Sequence, residues 1–439
     1  MSRIFMLIMV MALGGCIIPY AKPRIIPSDS QVKGISHFVQ SDGKEIDIIL
    51  IHGMCTHDKE WVASTRGRLL EMFQSSGHVV RERNSESSGE FSRTRLYSQS
   101  FDIGVDGKIL NVHAIVWSAE TFDQKKSLCY DRDKKKLTDR VPFCNGIRQD
   151  GYTRALVNRY LKDGLINDCL VDAIIYAGET GIEIRRRVAE AIEYIATYRA
   201  RDDKSLSKQQ QLTKSEDVPI FVISESLGSK VLFDTLLQMQ ASGSGELGDC
   251  ANDRSTMPEN STNISEQIFT RIFQVYMSAN QIPLLSAAVL PKGCIRQGDI
   301  TEDSSKKAVG QDHTTVDSLD VLTQRLYGKR ASRIKTIMPQ APAVPAVDGV
   351  MKTVEPLPSL PVIVFTDPND LLSYPLGGST RHEAGGKAYD FIDVLVSNAV
   401  TWLGIIEFPW KAHSKYLSNE NIHKIIVCGI PETGNCWRP

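Results

Sequence analysis

Residues 221–230, FVISESLGSK, run four mostly apolar residues into a serine that has small neighbours. The stretch predicts a buried strand that ends in an abrupt turn at Ser226, and the following LGSKVLFDTLLQM has apolar residues at helical spacing. A tight strand-to-helix turn crowds the positions two before and two after its central residue. Ser224 and Gly228 are small enough to meet that requirement. The pattern therefore indicates a serine lifted above the end of a sheet.

Apolar runs and helical patterns alternate along the rest of the chain. EIDIILIHGM, from residue 45, predicts a strand covered on both faces, because its apolar run is continuous. LYSQSFDIGVDGKILNVHAIVW predicts two strands joined by a tight turn at Asp106-Gly107. IFQVYMSA and PVIVFTDPND predict further strands, whereas IEIRRRVAEAIEYIATY and NENIHKIIVCGI predict helices. This alternation predicts an α/β fold with one mainly parallel central sheet and helices on both faces.

Composition is that of a globular protein. The 439 residues are 42% hydrophobic and carry a formal net charge of -1, with no basic stripe, so we expect no nucleic-acid partner. The chain divides into segments with different expected roles. These are a signal peptide at 1–15, an exposed tether at 16–42, and one large domain at 43–439 with loop insertions near 118–150, 241–265 and 298–360.

The N-terminus has the pattern of an export signal. In MSRIFMLIMVMALGGC a single arginine precedes an apolar run of about half the ~20 residues that a transmembrane helix needs. Its end, LGGC, resembles the bacterial lipobox, which implies cleavage before Cys16 and acylation of that cysteine. We therefore expect a lipid anchor in the bacterial cell envelope, on the periplasmic side, and Ile17 favours the outer membrane. The alternative is an ordinary secreted protein with a chance cysteine.

Export permits disulfide bonds. Nine cysteines are present, and setting Cys16 aside leaves an even number. Short loops favour Cys129–Cys144 and Cys428–Cys436 as pairs. Neither a CxxC nor a Cys/His spacing suggests zinc, so no metal site is expected.

A serine nucleophile needs a base, and the base needs an acid to orient it. Where such a turn carries the nucleophile, the acid and then the histidine follow it in the chain. The strand in VIVFTDPNDLLSY ends in Asp367 and Asp370. We favour Asp370, because a turn lets its carboxylate reach back, and Asp367 stays the alternative. Among the later histidines we favour His413, on a loop before the last helix, over His382 in a glycine-rich loop and His423 inside that helix.

Four segments carry a family resemblance. LIHGM, ISESLGSK, FTDPNDLLSY and AHSKYLSNENI occur in this order across roughly residues 46–430, and together they resemble the α/β-hydrolase superfamily, nearest its lipase-like and GPI inositol-deacylase-like members. Two features depart from the family pattern: Ser224 replaces the usual glycine, and the insertions are long. The resemblance implies an α/β-hydrolase fold and no cofactor.

The resemblance also implies roles for the loop IHGMCTHDKEW. In similar folds the backbone N–H of the residue after His-Gly, here Met54, and that of Leu227 bind the oxyanion, and Gly53 lets the chain pass close to the substrate. We expect His52 to be a structural hydrogen-bonding residue and His57 to be a solvated loop residue.

Together these patterns predict a lipid-anchored serine hydrolase that cleaves an acyl ester or lipid by acyl transfer. Its expected catalytic residues are Ser226, His413 and Asp370. Two alternatives remain: a non-catalytic envelope lipoprotein that uses the scaffold for binding, and an acyltransferase with the same triad.

Overall fold

The structure is a computed structural model. The residues that it describes are 16–39, 45–104, 107–131, 142–144, 154–200, 203, 205–242, 257–285, 318–337, 359–376, 389–402 and 407–430.

Strands and helices are numbered in chain order. The strands are β1 Cys16–Ile17, β2 Arg24–Ile26, β3 Val32–Lys33, β4 Glu45–Ile51, β5 Val80–Glu82, β6 Ser87–Phe91, β7 Thr94–Ile103, β8 Lys108–Val116, β9 Ile220–Glu225, β10 Ile272–Ser278, β11 Leu360–Thr366, β12 Tyr389–Leu395, β13 Thr401–Trp402 and β14 Gly429–Ile430. The helices are α1 Ile35–Val39, α2 Lys59–Ser75, α3 Phe122–Lys126, α4 Leu156–Arg159, α5 Val171–Ala177, α6 Thr180–Thr197, α7 Lys208–Thr213, α8 Leu227–Ser242, α9 Ser261–Thr270, α10 Ile282–Leu285, α11 Ser318–Ile337, α12 Pro409–Ser414 and α13 Glu420–Cys428. A π-helical segment, Tyr160–Leu170, joins α4 to α5, and residues 156–177 are called the α4–α5 arm below.

A single large sheet organises the molecule. Its strand order is β2-β12-β11-β10-β9-β4-β8-β7-β5, and β6 pairs with β7. The central strands from β12 to β8 pair in parallel, whereas β2 at one edge and β7, β5 and β6 at the other pair antiparallel. The prediction of an α/β fold with a mainly parallel sheet is confirmed.

Most buried apolar residues form two large clusters, one on each face of the sheet. Along β4, Ile49 and Ile51 belong to one cluster while Ile48 and Leu50 belong to the other, because successive side chains of a strand point to opposite faces. Helices α6, α8, α9 and α11 contribute to the first cluster, and α1, α2 and α13 contribute to the second. This double covering explains why the central strands are continuous apolar runs.

The segment 16–42 is not the exposed tether that the sequence suggested. In its described part, β2 extends the main sheet by pairing with β12, and β3 pairs with β14. Helix α1 buries Ile35, Phe38 and Val39. Strand β2 is only three residues long, and the segment lacks a long apolar run. The position of β2 at the edge of the sheet therefore depends on its pairing with β12.

All three expected insertions contain helical structure among their described residues. Residues 318–337 form the 20-residue helix α11, which packs against α8 and α9. Helix α9 begins at Ser261, inside the stretch 241–265 that was predicted to be a loop. Near 118–150, the described residues include the short α3. The signal peptide 1–15 and Asp106 of the predicted turn lie outside the described residues. Among the described helices, none is long and apolar enough to cross a membrane.

Candidate active site

The turn between β9 and α8 holds Ser226 in an unusual backbone conformation. Its φ is 52°, in the left-handed region that costs a non-glycine residue free energy. The Ser226 N–H donates to the Ser278 carbonyl oxygen at 2.7 Å, which ties the turn to the end of β10. Ser224 and Ser229 join their hydroxyls at 2.8 Å across the turn. The Ser224 side chain therefore stabilises the turn.

Ser226 also presents an unused hydroxyl. The residue is buried, and among the described residues its Oγ has no hydrogen-bond partner. A buried hydroxyl without a partner lacks the stabilisation that water or a protein acceptor would give it. Strain and an unpaired polar atom at the same residue are typical of functional sites.

His413 is paired with Asp370. The His413 Nδ1 lies 2.9 Å from Asp370 Oδ1 and 3.0 Å from Oδ2. The Tyr416 hydroxyl donates to Asp370 Oδ2 at 3.0 Å, and the Leu372 N–H donates to Oδ1 at 3.0 Å. With its Nδ1 proton held by the carboxylate, the neutral ring has its lone pair on Nε2. His413 lies in the last turn of the short helix α12, so the expectation of a loop was wrong at this point.

Asp367 stabilises the turn after β11 through hydrogen bonds to backbone N–H groups. Its carboxylate accepts the N–H of Asn369 at 3.0 Å and that of Asn398 at 2.6 Å, which shapes the turn after β11. Burial raises the pKa of Asp367. No hydrogen bond joins it to His413 in the described part of the chain. Of the two candidate acids, Asp370 is the one in contact with the histidine.

Sheet topology brings the serine and the acid to one edge. Strands β9, β10 and β11 are parallel neighbours, so their carboxyl ends meet at the same edge of the sheet. Ser226 follows β9 and Asp370 follows β11, and the Ala279 N–H donates to Phe365 O at 3.2 Å between them. No hydrogen bond joins Ser226 Oγ to His413 among the described residues. The hydrogen bond between acid and histidine is formed, and the one between Ser226 and His413 is not.

Glu225, which sequence reasoning missed, lies directly before Ser226. It is 7% exposed, and its Oε2 has no hydrogen-bond partner among the described residues. Burial raises the pKa of Glu225 to about 7, although the charge of His413 acts in the opposite direction. The available signal was a lone acidic residue at the end of an otherwise uncharged strand.

The predicted oxyanion loop touches the serine turn. A Cβ on Gly53 would lie 2.4 Å from the Cβ of Ser226, and a Cβ on Gly228 would lie 2.4 Å from the carbonyl oxygen of His52. Only glycine permits both approaches. Neither the Met54 nor the Leu227 N–H has an acceptor within the described ranges. The two amides expected to bind an oxyanion are therefore both available.

His52 has the structural role that the sequence predicted. Its Nε2 accepts the N–H of Trp117 at 2.9 Å and that of Ser118 at 3.2 Å, and its Nδ1 donates to Gly53 O at 2.7 Å. The ring stacks on Trp117 with centroids 5.0 Å apart. Burial holds the pKa of His52 well below its usual value. His52 therefore stays neutral and connects the loop to the end of β8.

His57 differs from the solvated residue that we expected. It is half-buried, its Nε2 donates to Met54 O at 3.1 Å, and its ring lies 4.7 Å from that of His52. Burial lowers the pKa of His57 to about 4. Because His57 holds the carbonyl of Met54, it helps to orient the peptide units of the oxyanion loop.

A disulfide bond and buried hydrogen bonds connect the predicted oxyanion loop to the α4–α5 arm. Cys55 forms a disulfide with Cys169 of the α4–α5 arm. The Cys55 N–H donates to Asp172 Oδ2 at 2.8 Å, and Lys125 Nζ donates to the same oxygen at 2.9 Å. Burial raises the pKa of Asp172 to about 6, whereas the Lys125 charge opposes that rise. Cys55, which follows Met54, is thus held by a disulfide bond and by a hydrogen bond to a buried carboxylate that is paired with Lys125.

The other cysteine predictions have mixed outcomes. The Cys129–Cys144 disulfide is confirmed. The Cys55–Cys169 pair, separated by 114 residues, was missed because no local signal marks it. Cys428 is disulfide-bonded to a residue outside the described ranges, where Cys436 lies.

Of the two remaining histidine candidates, the described one, His423, is bonded elsewhere. His423 is buried in α13, where its Nε2 donates to Leu417 O at 3.0 Å. His382 lies outside the described residues.

Within the described ranges, no group of three or more His, Cys, Asp or Glu side chains could hold a metal ion. No protein-family model, curated protein or solved structure matches this chain.

Proposed function

We propose that this chain is a serine hydrolase of the α/β-hydrolase type, which cleaves an ester through an acyl-enzyme and is anchored in the cell envelope by an acylated Cys16. One observation carries the proposal. At a single edge of the sheet, Ser226 has a strained positive φ and a buried Oγ with no partner in the described part of the chain, and the His413–Asp370 pair lies at the same edge. A scaffold without chemistry has no need for this combination.

In the proposed mechanism, Ser226 Oγ attacks the ester carbonyl carbon while His413 Nε2 takes the hydroxyl proton. Asp370 holds the Nδ1 proton and stabilises the imidazolium. The amides of Met54 and Leu227 receive the oxyanion, each contributing on the order of 3 kcal/mol to lowering the barrier. Collapse of this intermediate breaks the C–O bond, and His413 returns the proton to the leaving alcohol. Water then repeats the two steps, which releases the acid and restores the serine.

The second candidate is a binding protein on the same scaffold. It is favoured by the missing hydrogen bond between Ser226 and His413. Catalytic hydrogen bonds are often long before substrate binds, so a hydrolase without bound substrate is also compatible with this geometry.

Labelling with a fluorophosphonate probe separates the candidates. We expect the purified wild type to be labelled and Ser226→Ala to lose the label. Ser215→Ala is the matched control, since Ser215 is another buried serine whose Oγ has no hydrogen-bond partner among the described residues, and it precedes the amino end of β9. Wild-type protein that stays unlabelled, or equal labelling of Ser226→Ala, contradicts the proposal. Product analysis with added alcohols then distinguishes hydrolysis from acyl transfer.

A further inference from the structure

The backbone places Cys16, the predicted acylation site, at the edge of the sheet where the parallel strands β9, β10 and β11 end. Strand β1 pairs with β13, so that Cys16 lies opposite Trp402. The chain then continues into β2, which runs antiparallel to β12 with Arg24 opposite Leu395, the last residue of that strand. Because β12 is parallel to β9, β10 and β11, the chain enters the sheet from the edge where those strands end.

Hydrogen bonds connect this entry point to the site. Thr401 of β13 donates to Glu407 Oε2 at 3.0 Å, and the Asn369 side chain donates to the same oxygen at 2.7 Å. Asn369 directly precedes Asp370. The strand that pairs with Cys16 is therefore two side-chain hydrogen bonds away from the turn that carries the acid.

Exposed apolar side chains gather on the same side. Leu371, 63% exposed, follows Asp370 directly, and Ile174, 67% exposed, lies on the α4–α5 arm that the Cys55–Cys169 disulfide fastens to the oxyanion loop. The arm also contacts α12, which carries His413. Four other large exposed apolar residues lie on segments that adjoin this edge: Ile18 and Val400 next to the paired β1 and β13, Leu284 in α10 after β10, and Ile166 on the α4–α5 arm.

Charge fits the same surface. Lys411 and Lys415 flank His413 in sequence and are exposed. Cations at a membrane-facing surface are attracted to anionic lipid. Single exposed apolar residues are ordinary, but a group that surrounds a site marks an interaction surface.

We propose that this carboxyl edge of the sheet rests on the bilayer that holds the acylated Cys16, and that the ester substrate is a lipid of that bilayer. The exposed apolar side chains at this edge thus contact the membrane itself. The orientation depends on acylation of Cys16, and the substrate class rests on the proposed hydrolase function.

Tryptophan quenching tests the orientation without using catalysis. Acylated Leu371→Trp and Val79→Trp variants are reconstituted into vesicles with brominated phospholipid. Val79 is the matched control, because it is 48% exposed and directly precedes β5. The pairing of β5 with β7, and of β7 with β8, places Val79 near the amino end of β8, away from the proposed membrane-facing side. We expect the fluorescence added at position 371 to be mostly quenched and that added at 79 to be retained. Equal quenching at both positions, no quenching at 371, or a Cys16 peptide without acyl mass overturns the proposal.

Activity tests the substrate class separately. The double variant Leu371→Asn, Ile174→Asn is expected to lose about tenfold in rate on a lipid ester presented in vesicles, while its rate on a short water-soluble ester stays within about twofold. Val79→Asn should leave both rates unchanged. A wild type that cleaves the soluble ester but not the vesicle lipid refutes this inference alone. A wild type that cleaves neither refutes the hydrolase function, and the quenching result still decides the orientation.

Discussion

Replacing Glu225 with glutamine removes a buried carboxyl group beside the proposed nucleophile while keeping the size of the side chain. Burial raises the pKa of this group from 4.5 to about 7. Between these two pH values the unfolded chain releases the proton and the folded protein retains it. The stabilising effect of this difference is therefore fully present below pH 4.5 and is lost as the pH rises to about 7.

The magnitude follows from the two pKa values. At about 1.4 kcal/mol per pH unit, the step from 4.5 to about 7 corresponds to a loss of about 3 kcal/mol in the free energy of unfolding. Glutamine does not ionise, so Glu225→Gln lacks this loss. Relative to the wild type, the variant should gain about 3 kcal/mol of stability between pH 4 and pH 8.

Urea unfolding followed by tryptophan fluorescence, with the disulfides intact, measures this difference at each pH. Glu259→Gln is the control, because Glu259 is exposed and its substitution is expected to change the free energy of unfolding by less than about 0.5 kcal/mol at every pH. If the difference between wild type and Glu225→Gln is constant from pH 4 to pH 8, the buried carboxyl is not protonated as argued. A difference that decreases with pH contradicts the reasoning even more directly.

Two further substitutions test the geometry of the site. Asp370→Asn should lower kcat on a chromogenic ester by on the order of a thousandfold or more, because His413 loses the acceptor that fixes its tautomer, whereas Asp367→Asn should cost less than about tenfold; the reverse order would assign the acid to Asp367. Gly228→Ala should reduce the free energy of unfolding by about 1–3 kcal/mol, since its Cβ would meet a backbone oxygen at 2.4 Å, while Gly67→Ala, with nothing within 4 Å, should be neutral or stabilising; equal effects in urea unfolding would refute this packing.

Several features could be predicted from sequence because their signals are local. The run before Ser226 is apolar throughout, since both faces of β9 are covered, and the helical spacing after it marks α8. Small residues around the turn follow from crowding that any strand-to-helix turn imposes. His413 was selected by its position in the chain, and the structure places it against Asp370.

Other features had no local signal. Asp367 and Asp370 are three residues apart in one turn, and only the packing of α12 and Tyr416 shows which carboxylate meets the histidine. The Cys55–Cys169 disulfide connects distant segments, which composition cannot pair. The raised pKa of Glu225 comes from burial, which segments distant in sequence produce only when the chain folds.

The sequence by itself thus determined the strands β4, β7, β8, β9, β10 and β11, the helices α6, α8 and α13, the mainly parallel sheet and the candidate serine, because these depend on residues that are neighbours in the chain. Tertiary structure alone decided the pairing of β2 with the sheet, the fastening of the oxyanion loop, the choice of acid and the side of the molecule on which Cys16 lies. The physical reason is that burial and long-range hydrogen bonding involve segments far apart in sequence, whereas backbone propensity and hydrophobic periodicity act within a few residues.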